Sequence, residues 1–207
     1  MKHSGYLIVG LLLLAACARE AAVNPDSNHT HADFAIWTAG ERMDFSGEEF
    51  MSGSSQDAEH LNAIHTYLHL HDGNGDVVHR HKPGLMFGEF MVSNLGLNVV
   101  SNRVENTTCL VRDKIHALGE TSPIVTCISG NLRAFVNGKE VPAFDIPEYV
   151  FNDVDMIFLT DSTDETVIQN QLSQLTDDAC LYSRTCPWRG DPPTENCIAD
   201  PSVPCVE

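Results

Sequence analysis

Alternation between apolar and polar residues is the dominant pattern beyond residue 30. Residues 32–38 alternate loosely and are rich in β-forming side chains, and Ala39-Gly40 turns the chain into a return strand at residues 42–45. The clearest hairpin comes later, where two short β-rich runs flank Asn137-Gly138, a dipeptide that favours a type I′ turn. The same pattern predicts further strands at residues 97–100, 108–113, 123–129, 132–136, 139–141, 149–151 and 156–159.

Two segments have the spacing of amphipathic helices. Apolar residues recur every three or four positions in the segment 85–95, and Gly96 stands where a helix C-terminus favours glycine. A second helix is predicted over residues 161–179, with Ser162 as the N-cap and Glu165 as its partner in a capping box. The apolar stripe of this helix consists of Ile168, Leu172, Leu175 and Ala179.

The order of these elements resembles the β-grasp arrangement, with a strand pair, a helix and then further strands. The Val-Asn-Gly-Lys turn at residues 136–139, followed by an Asp-x-Ile-Phe-Leu strand at 155–159, resembles the C-terminal half of small sulfur-carrier β-grasp domains. The diglycine terminus that those carriers need is missing, so the resemblance concerns the fold alone. We expect an α+β fold: a small, β-rich, β-grasp-like domain with a C-terminal helix and a disulfide-rich tail.

The N-terminus indicates export. Residues 6–16 are apolar, which is shorter than the roughly 20 residues that span a bilayer and is typical of a signal peptide. Leu14-Ala15-Ala16-Cys17 resembles the lipobox of bacterial lipoproteins, which implies cleavage before Cys17 and lipidation of that residue. The alternative is an ordinary signal peptide whose cleavage site happens to contain a cysteine. Composition then divides the chain into a signal peptide at 1–16, a flexible tether at 17–30, a β-rich histidine-containing domain at 31–160, the helix at 161–179 and a Cys/Pro-rich tail at 180–207.

Cysteine usage agrees with an exported protein. Apart from Cys17, an even number of cysteines is left, which suits disulfides in an oxidising compartment. These cysteines are Cys109, Cys127, Cys180, Cys186, Cys197 and Cys205. Proximity favours a bridge between Cys109 and Cys127 and two bridges within the tail, although sequence alone leaves the pairing open.

The formal net charge of −17 excludes one class of partner and restricts another. A protein this acidic lacks the basic footprint that nucleic acid requires. It is also repelled by anionic headgroups, so we expect acyl chains on Cys17, rather than the protein surface, to hold it to the membrane. The predicted location is the extracytoplasmic face of the cell envelope.

Histidines are the main candidates for chemistry. The chain has 10, and most of them fall between His29 and His81, including His60 and His65. The motif His-x-His occurs three times in this region, at His29/His31, His69/His71 and His79/His81. In a strand, residues i and i+2 lie on one face, so each pair presents two imidazoles to the same side.

Loop length decides whether the second and third pairs share a face. A two-residue loop at Asn74-Gly75 divides the pairs between opposite faces, whereas a three-residue loop at residues 73–75 sets His69 opposite His79 and gathers all four histidines. Three or four neutral histidines suit Zn²⁺ or Cu²⁺. The sequence therefore predicts His69, His71, His79 and His81 as metal ligands, followed by His29 and His31.

Other kinds of chemistry have weaker signals. Asp72, Asn74 and Asp76 mimic the start of a calcium loop, but the later loop positions do not fit, so we expect a turn. A metal-dependent hydrolase needs a general base, and nothing singles out one among Glu59, Asp72 and Asp76. No nucleophile elbow, zinc-protease motif or Cys-x-x-Cys motif occurs.

Several of these motifs together resemble a family of small exported, histidine-rich lipoproteins from uncultivated bacteria and some archaea. They are the lipobox, His-x-His-Ala-Asp-Phe, the histidine hairpin, Val-Asn-Gly-Lys and the Cys-Pro-x-Arg-Gly-x-Pro-Pro tail. Some members carry the label protein-disulfide isomerase, which implies an activity that these residues do not support. The sequence thus favours a lipid-anchored, extracytoplasmic metal-binding protein over an enzyme. The alternatives are a metal-dependent hydrolase, a thiol–disulfide oxidoreductase and a purely structural surface module.

Overall fold

A computed structural model describes residues 22–26, 28–52, 67–102, 107–112 and 127–193. Strands in these residues form two sheets, and helices pack on both faces of the larger one. The strands are β1 (Thr30–Thr38), β2 (Glu41–Arg42), β3 (Leu68–His69), β4 (Val77–Arg80), β5 (Leu97–Asn102), β6 (Thr107–Arg112), β7 (Cys127–Gly130), β8 (Arg133–Val136), β9 (Lys139–Val141) and β10 (Asp155–Thr160). The helices are α1 (Phe87–Leu95), α2 (Glu165–Leu172) and α3 (Ala179–Tyr182).

The larger sheet is mixed and has the order β3-β4-β1-β10-β8-β9, with β2 also paired to β1. β1 and β10 run parallel at its centre, and the other pairs are antiparallel. With α1 between the first strands and β8, this order agrees with the predicted β-grasp-like arrangement. β1 takes the central place because it is apolar on both faces, with Phe34 and Ala35 both buried.

Each face of this sheet is covered by a helix. α1 packs on the face of Phe34, whose ring lies 5.2 Å from the ring of Phe90. Gly96 ends α1 in the left-handed conformation with φ 60, as predicted. On the opposite face, Ile168 of α2 packs with Ala35 and with buried rings of β8 and β10.

The smaller sheet has the order β5-β6-β7 and carries the first disulfide. Cys109 of β6 and Cys127 of β7 are bridged, with their Cα atoms 5.7 Å apart, which confirms that predicted pair. A bridge between Cys180 and Cys186 confirms one of the two predicted in the tail. Cys197 and Cys205 lie outside the described residues, as do Cys17 and the predicted signal peptide.

The hairpin of β8 and β9 forms as predicted, with Asn137 at φ 52 and Gly138 at φ 72. The strand predicted at residues 149–151 is wrong. A 3-10 helix at Ala143–Glu148 precedes this segment. The Tyr149 amide bonds to the Ile146 carbonyl of that helix and so does not pair with a neighbouring strand. Phe151 is buried there as a core residue rather than as part of a strand.

The C-terminal helix is confirmed, but its predicted bounds of 161–179 are wrong. α2 begins after Asp164, whose carboxylate accepts from the amides of Thr166 and Val167, so Asp164 rather than Ser162 is the N-cap. The Glu165 side chain bonds instead to Arg133 at 2.8 Å. The chain leaves the helix after Leu172, and a separate helix, α3, begins at Ala179, the last residue of the predicted stripe. Among the described residues, no helix is long and apolar enough to cross a bilayer.

Candidate metal centre

Three neighbouring strands set histidines side by side. His31 of β1 lies opposite His79 of β4, and His79 lies opposite His69 of β3. These three residues form one row across the sheet, on the face opposite Phe34 because side chains alternate along β1. The register of His69 with His79 is the one predicted to gather both His-x-His pairs on a single face, and that prediction is confirmed.

The turn that produces this register differs from the predicted one. The tight turn has Asp72 and Gly73 at its centre, with φ values of 60 and 70 and a 3.1 Å bond from the Asn74 amide to the His71 carbonyl. The Asn74 side chain then accepts from the Asp76 amide at 2.9 Å, which redirects the chain into β4. The predicted three-residue loop at residues 73–75 is therefore wrong in extent, because β3 ends at His69 and β4 begins only at Val77. The pairing of His69 with His79 is nevertheless centred on Asn74, as predicted. The prediction of a turn rather than a calcium loop agrees with these bonds.

Six imidazole rings meet on this face. His79 lies at the centre, with ring centroids 3.9 Å from His71, 4.8 Å from His31, 6.2 Å from His69 and 6.3 Å from His29. His81 stacks between the outer rings, 4.0 Å from His29 and 4.7 Å from His69. We call these residues the histidine cluster: His29, His31, His69, His71, His79 and His81.

Most of the histidine cluster is buried, and His29 and His71 are partly exposed. His79 is 0% exposed, and His31, His69 and His81 are also buried. The Nε2 atoms of His29, His31, His79 and His81 are all screened from solvent. This region is a polar interior made of imidazoles, whereas the other end of the same sheet face is covered by apolar contacts of α2.

Hydrogen bonds set the tautomers of two neighbouring rings. The Asp72 carboxylate can only accept, so its 2.8 Å bond places the proton of neutral His71 on Nδ1. The Nε2 atom of His71 then accepts the proton of His79 Nδ1, at 3.1 Å. His79 is therefore the tautomer protonated on Nδ1, with Nε2 as its unprotonated nitrogen.

A second relay sets the tautomer of His31. Ser183 donates its hydroxyl proton to Asp153 at 2.6 Å, so its oxygen accepts from His31 Nδ1 at 2.7 Å. Asp153 also accepts from the His31 amide at 3.1 Å. The Nε2 atom of His31 therefore also keeps its lone pair. Bonds of this kind are the usual way in which proteins orient metal-binding histidines.

Three of the six histidines offer ligand atoms that already converge. One nitrogen from each of His29, His79 and His81 lies within 4.8 Å of the others. Zinc bonds of about 2.0–2.1 Å in tetrahedral geometry need nitrogens roughly 3.3 Å apart, so small side-chain rotations would close the set. The donors are neutral nitrogens, which suit zinc or copper and do not suit calcium or magnesium.

A short segment at the C-terminal side covers the histidine cluster. We call residues 178–186 the cap. The Tyr182 ring lies 4.7 Å from His79 and 5.6 Å from His31, and Ser183 makes the hydrogen bond to His31 described above. Sequence reasoning missed Tyr182, Ser183 and Asp153, because their only signal is contact between distant segments.

An open cavity of about 560 Å³ lies beside the cap but not on the histidine cluster. Arg42, Asp76 and Asp178 are among the residues that line it, and no cluster histidine does. Asn74 separates the two, since it lines the cavity and donates to the Tyr182 hydroxyl at 3.2 Å. Asp76, once a candidate general base, is instead bonded to Arg42 at 2.7 Å.

The structure thus brings all six predicted histidines together but gives them different surroundings. His29, His79 and His81 form the converging group, and His69 flanks His81. His31 is oriented by the Ser183 hydroxyl and His71 by the Asp72 carboxylate. Of the remaining candidates, His60, His65 and Glu59 lie outside the described residues.

Scans against protein-family models, curated proteins and solved structures find no match to the chain. The resemblance to exported histidine-rich lipoproteins therefore stays a prediction.

Proposed function

We propose that this chain is a metal-binding protein of the cell envelope, held to the membrane by lipid on Cys17, with the histidine cluster as its binding site. The observation that carries the proposal is the convergence of nitrogen atoms from His29, His79 and His81 within 4.8 Å. Two of these residues, His79 and His81, are also buried. The proposed metal is Zn²⁺ or Cu²⁺.

Packing alone gives no reason for six histidines at these positions. An apolar side chain in each place would bury comparable area and bring no polar atoms that need satisfaction. The sheet uses that solution elsewhere on the same face, where Ala35, Phe158 and Ile168 pack together. Imidazoles are therefore best explained by a ligand that needs their lone pairs, and a transition metal is the ligand that binds several of them at once.

The surroundings of the site favour binding over catalysis. A catalytic zinc keeps one coordination position open to substrate, whereas a structural or storage site is closed by protein. Here Tyr182 contacts His79 and Ser183 bonds to His31, and no cluster histidine is among the residues that line the neighbouring cavity. The candidate bases Asp72 and Asp76 already accept from His71 and Arg42. We therefore assign no hydrolytic role.

Two features support the location. The disulfides Cys109–Cys127 and Cys180–Cys186 are typical of an oxidising compartment outside the cytosol. The lipobox-like Leu14-Ala15-Ala16-Cys17 supplies the proposed anchor. On the extracytoplasmic face the histidines meet metal ions without competition from the cytosolic thiol pool, and the net charge of −17 raises the local concentration of cations.

The test is metal content and affinity of the mature chain, purified in detergent without a polyhistidine tag. After removal of metal with a chelator, titration with Zn²⁺ or Cu²⁺ should restore about one equivalent per chain, the stoichiometry of a single closed site. The variant His29→Ala/His79→Ala/His81→Ala should lose this equivalent. The control Phe144→Ala removes an exposed ring from the 3-10 helix at Ala143–Glu148 and should keep it. Equal metal content in the triple variant and the control would overturn the proposal.

A further inference from the structure

The two cap residues that contact the histidine cluster lie inside a small disulfide ring. Cys180 and Cys186 are bridged at a sequence separation of 6, with Cα atoms 5.5 Å apart. Tyr182 and Ser183 fall between them, so the contacts to His79 and His31 are made from within the ring. The bridge thus constrains the part of the cap that covers the site.

The two ends of the cap are held differently. At the beginning, the buried Asp33 carboxylate accepts from the amides of Asp178 and Ala179, at 2.8 and 3.1 Å, and joins the cap to β1. Beyond Ser183, the exposed Arg184 has φ 57. The backbone there is held by bonds from the Arg184 amide to the Leu181 carbonyl at 3.1 Å and from the Thr185 amide to the Cys180 carbonyl at 2.9 Å, and the Thr185 carbonyl accepts from the Ala22 amide at 3.2 Å. The disulfide is the covalent hold on this returning end.

We propose that the redox state of Cys180–Cys186 controls how readily metal exchanges at the histidine cluster. This inference rests on the proposed function. With the bridge formed, the ring holds Tyr182 and Ser183 against His79 and His31 and closes the site. Once the bridge is reduced, hydrogen bonds alone hold the returning end of the cap, the cap opens more often, and metal enters and leaves faster.

The reductant is a dithiol of the envelope, and the exchange proceeds in two balanced steps. A dithiol thiolate attacks Cys180 Sγ, the more exposed sulfur because Cys186 is only 3% exposed, and Cys186 leaves as a thiolate that takes up a proton. The second thiol of the dithiol then attacks the mixed disulfide, forms the disulfide of the dithiol and releases Cys180. Two electrons and two protons pass from the dithiol to the cysteine pair.

A cation lies where the second step needs one. Arg189 Nη1 is 3.7 Å from Cys180 Sγ, and the same guanidinium bonds to the carboxylates of Asp177 and Asp178. A positive charge beside a cysteine stabilises its thiolate, which makes Cys180 the better leaving group when the mixed disulfide is resolved. Arg189 therefore favours reduction through Cys180.

The expected size of the effect follows from the ring. In the chain-entropy relation, a disulfide that closes a loop of this length reduces the number of conformations open to the free cap by a factor of roughly 40. We expect metal dissociation to become about 10- to 40-fold faster when the bridge is lost, because part of the restriction is replaced by the remaining backbone bonds. The bridge Cys109–Cys127 is the matched control, since it joins β6 and β7 in the other sheet.

The experiment measures zinc release from the full mature chain in detergent, by transfer to a chromophoric chelator in a stopped-flow instrument. Cys180→Ser/Cys186→Ser should release zinc about 10- to 40-fold faster than the oxidised wild type. Cys109→Ser/Cys127→Ser should release it at the wild-type rate. Serine is used because it removes the bridge without leaving thiols that bind zinc themselves.

Three outcomes decide between the claims. Equal release rates in the two serine pairs overturn the redox inference and leave the proposed function intact. Absence of bound zinc in every protein, wild type included, overturns both. If Cys180→Ser/Cys186→Ser fails to fold, the decision passes to Tyr182→Ala/Ser183→Ala, which keeps the disulfide. With its disulfide intact, that variant should release zinc faster than the oxidised wild type, and release at the wild-type rate would overturn the inference.

Discussion

Asp33 joins the cap to the central strand, and Asp33→Asn tests how that junction responds to pH. The carboxylate is 2% exposed and accepts from Thr176 Oγ1, Asp178 N and Ala179 N. Burial raises its pKa from 3.8 to about 6, because desolvation of the charge outweighs the three hydrogen bonds that favour the ionised form. Asparagine keeps the size of the side chain and removes the titration.

The sign and the size follow from proton linkage. Because the folded pKa lies above the unfolded one, the folded domain takes up a proton that the unfolded chain does not. The contribution of Asp33 to stability is therefore fully present below the unfolded pKa of 3.8 and is lost as the pH rises through about 6. The shift in the pKa of Asp33 changes the unfolding free energy by about 3 kcal/mol over the whole pH range. About 1.3 kcal/mol of this change occurs between roughly pH 7 and pH 5.

The assay is urea unfolding of metal-free, disulfide-intact protein, followed by circular dichroism across this pH range. Wild type should gain about 1.3 kcal/mol of unfolding free energy relative to Asp33→Asn on going from roughly pH 7 to pH 5. Protonation of the histidines affects both proteins and cancels in the difference. A difference that stays constant with pH would refute a raised pKa for Asp33, and so would a carboxyl NMR titration with its midpoint near the ordinary value.

Three further changes test other parts of the account. His71→Ala removes the ring that orients His79, so zinc affinity in a chelator competition should fall about 10- to 100-fold while the stoichiometry is kept; loss of all binding would make His71 a ligand instead. Gly88→Ala should lower the unfolding free energy by about 1–3 kcal/mol in urea unfolding, because the added methyl group meets the backbone of Pro147. Gly130 has open space around it, so Gly130→Ala should leave the unfolding free energy unchanged. Cys17→Ser should move the protein from the membrane to the soluble fraction in ultracentrifugation, and continued sedimentation with membranes would contradict the lipid anchor.

The predictable parts of the fold are those that depend on neighbouring residues. Asn137-Gly138 forces positive φ at two positions and so determines the β8–β9 hairpin, and Gly96 ends α1 for the same reason. The shared face of His69 and His79 also follows from parity along a strand. Local conformational preference was sufficient in each of these cases.

Predictions from neighbouring residues were wrong where a contact with a distant part of the chain determined which of two possible residues ends a helix. Ser162 and Asp164 are both good N-caps, and the choice depends on Glu165, whose side chain bonds to Arg133 instead of completing a capping box. Similarly, the apolar stripe continues beyond Leu172, but the chain leaves the helix there.

The site was predictable in its residue type and not in its surroundings. Three His-x-His pairs indicate a metal site, but the sequence cannot show that Ser183 reaches His31 from 152 residues away. Nor can it distinguish His71, which bonds to a carboxylate and to another ring, from His81, which lies in the converging group. These distinctions depend on tertiary packing, for which spacing along the chain carries no signal.

X-ray absorption at the metal edge of the loaded, tag-free protein tests the central claim most directly. A site built on His29, His79 and His81 should show a shell of nitrogen atoms at about 2.0–2.1 Å, with the outer-atom scattering typical of imidazole. That imidazole signal should disappear in His29→Ala/His79→Ala/His81→Ala. A shell of sulfur at about 2.3 Å, or of oxygen without imidazole, would place the metal elsewhere and contradict the account.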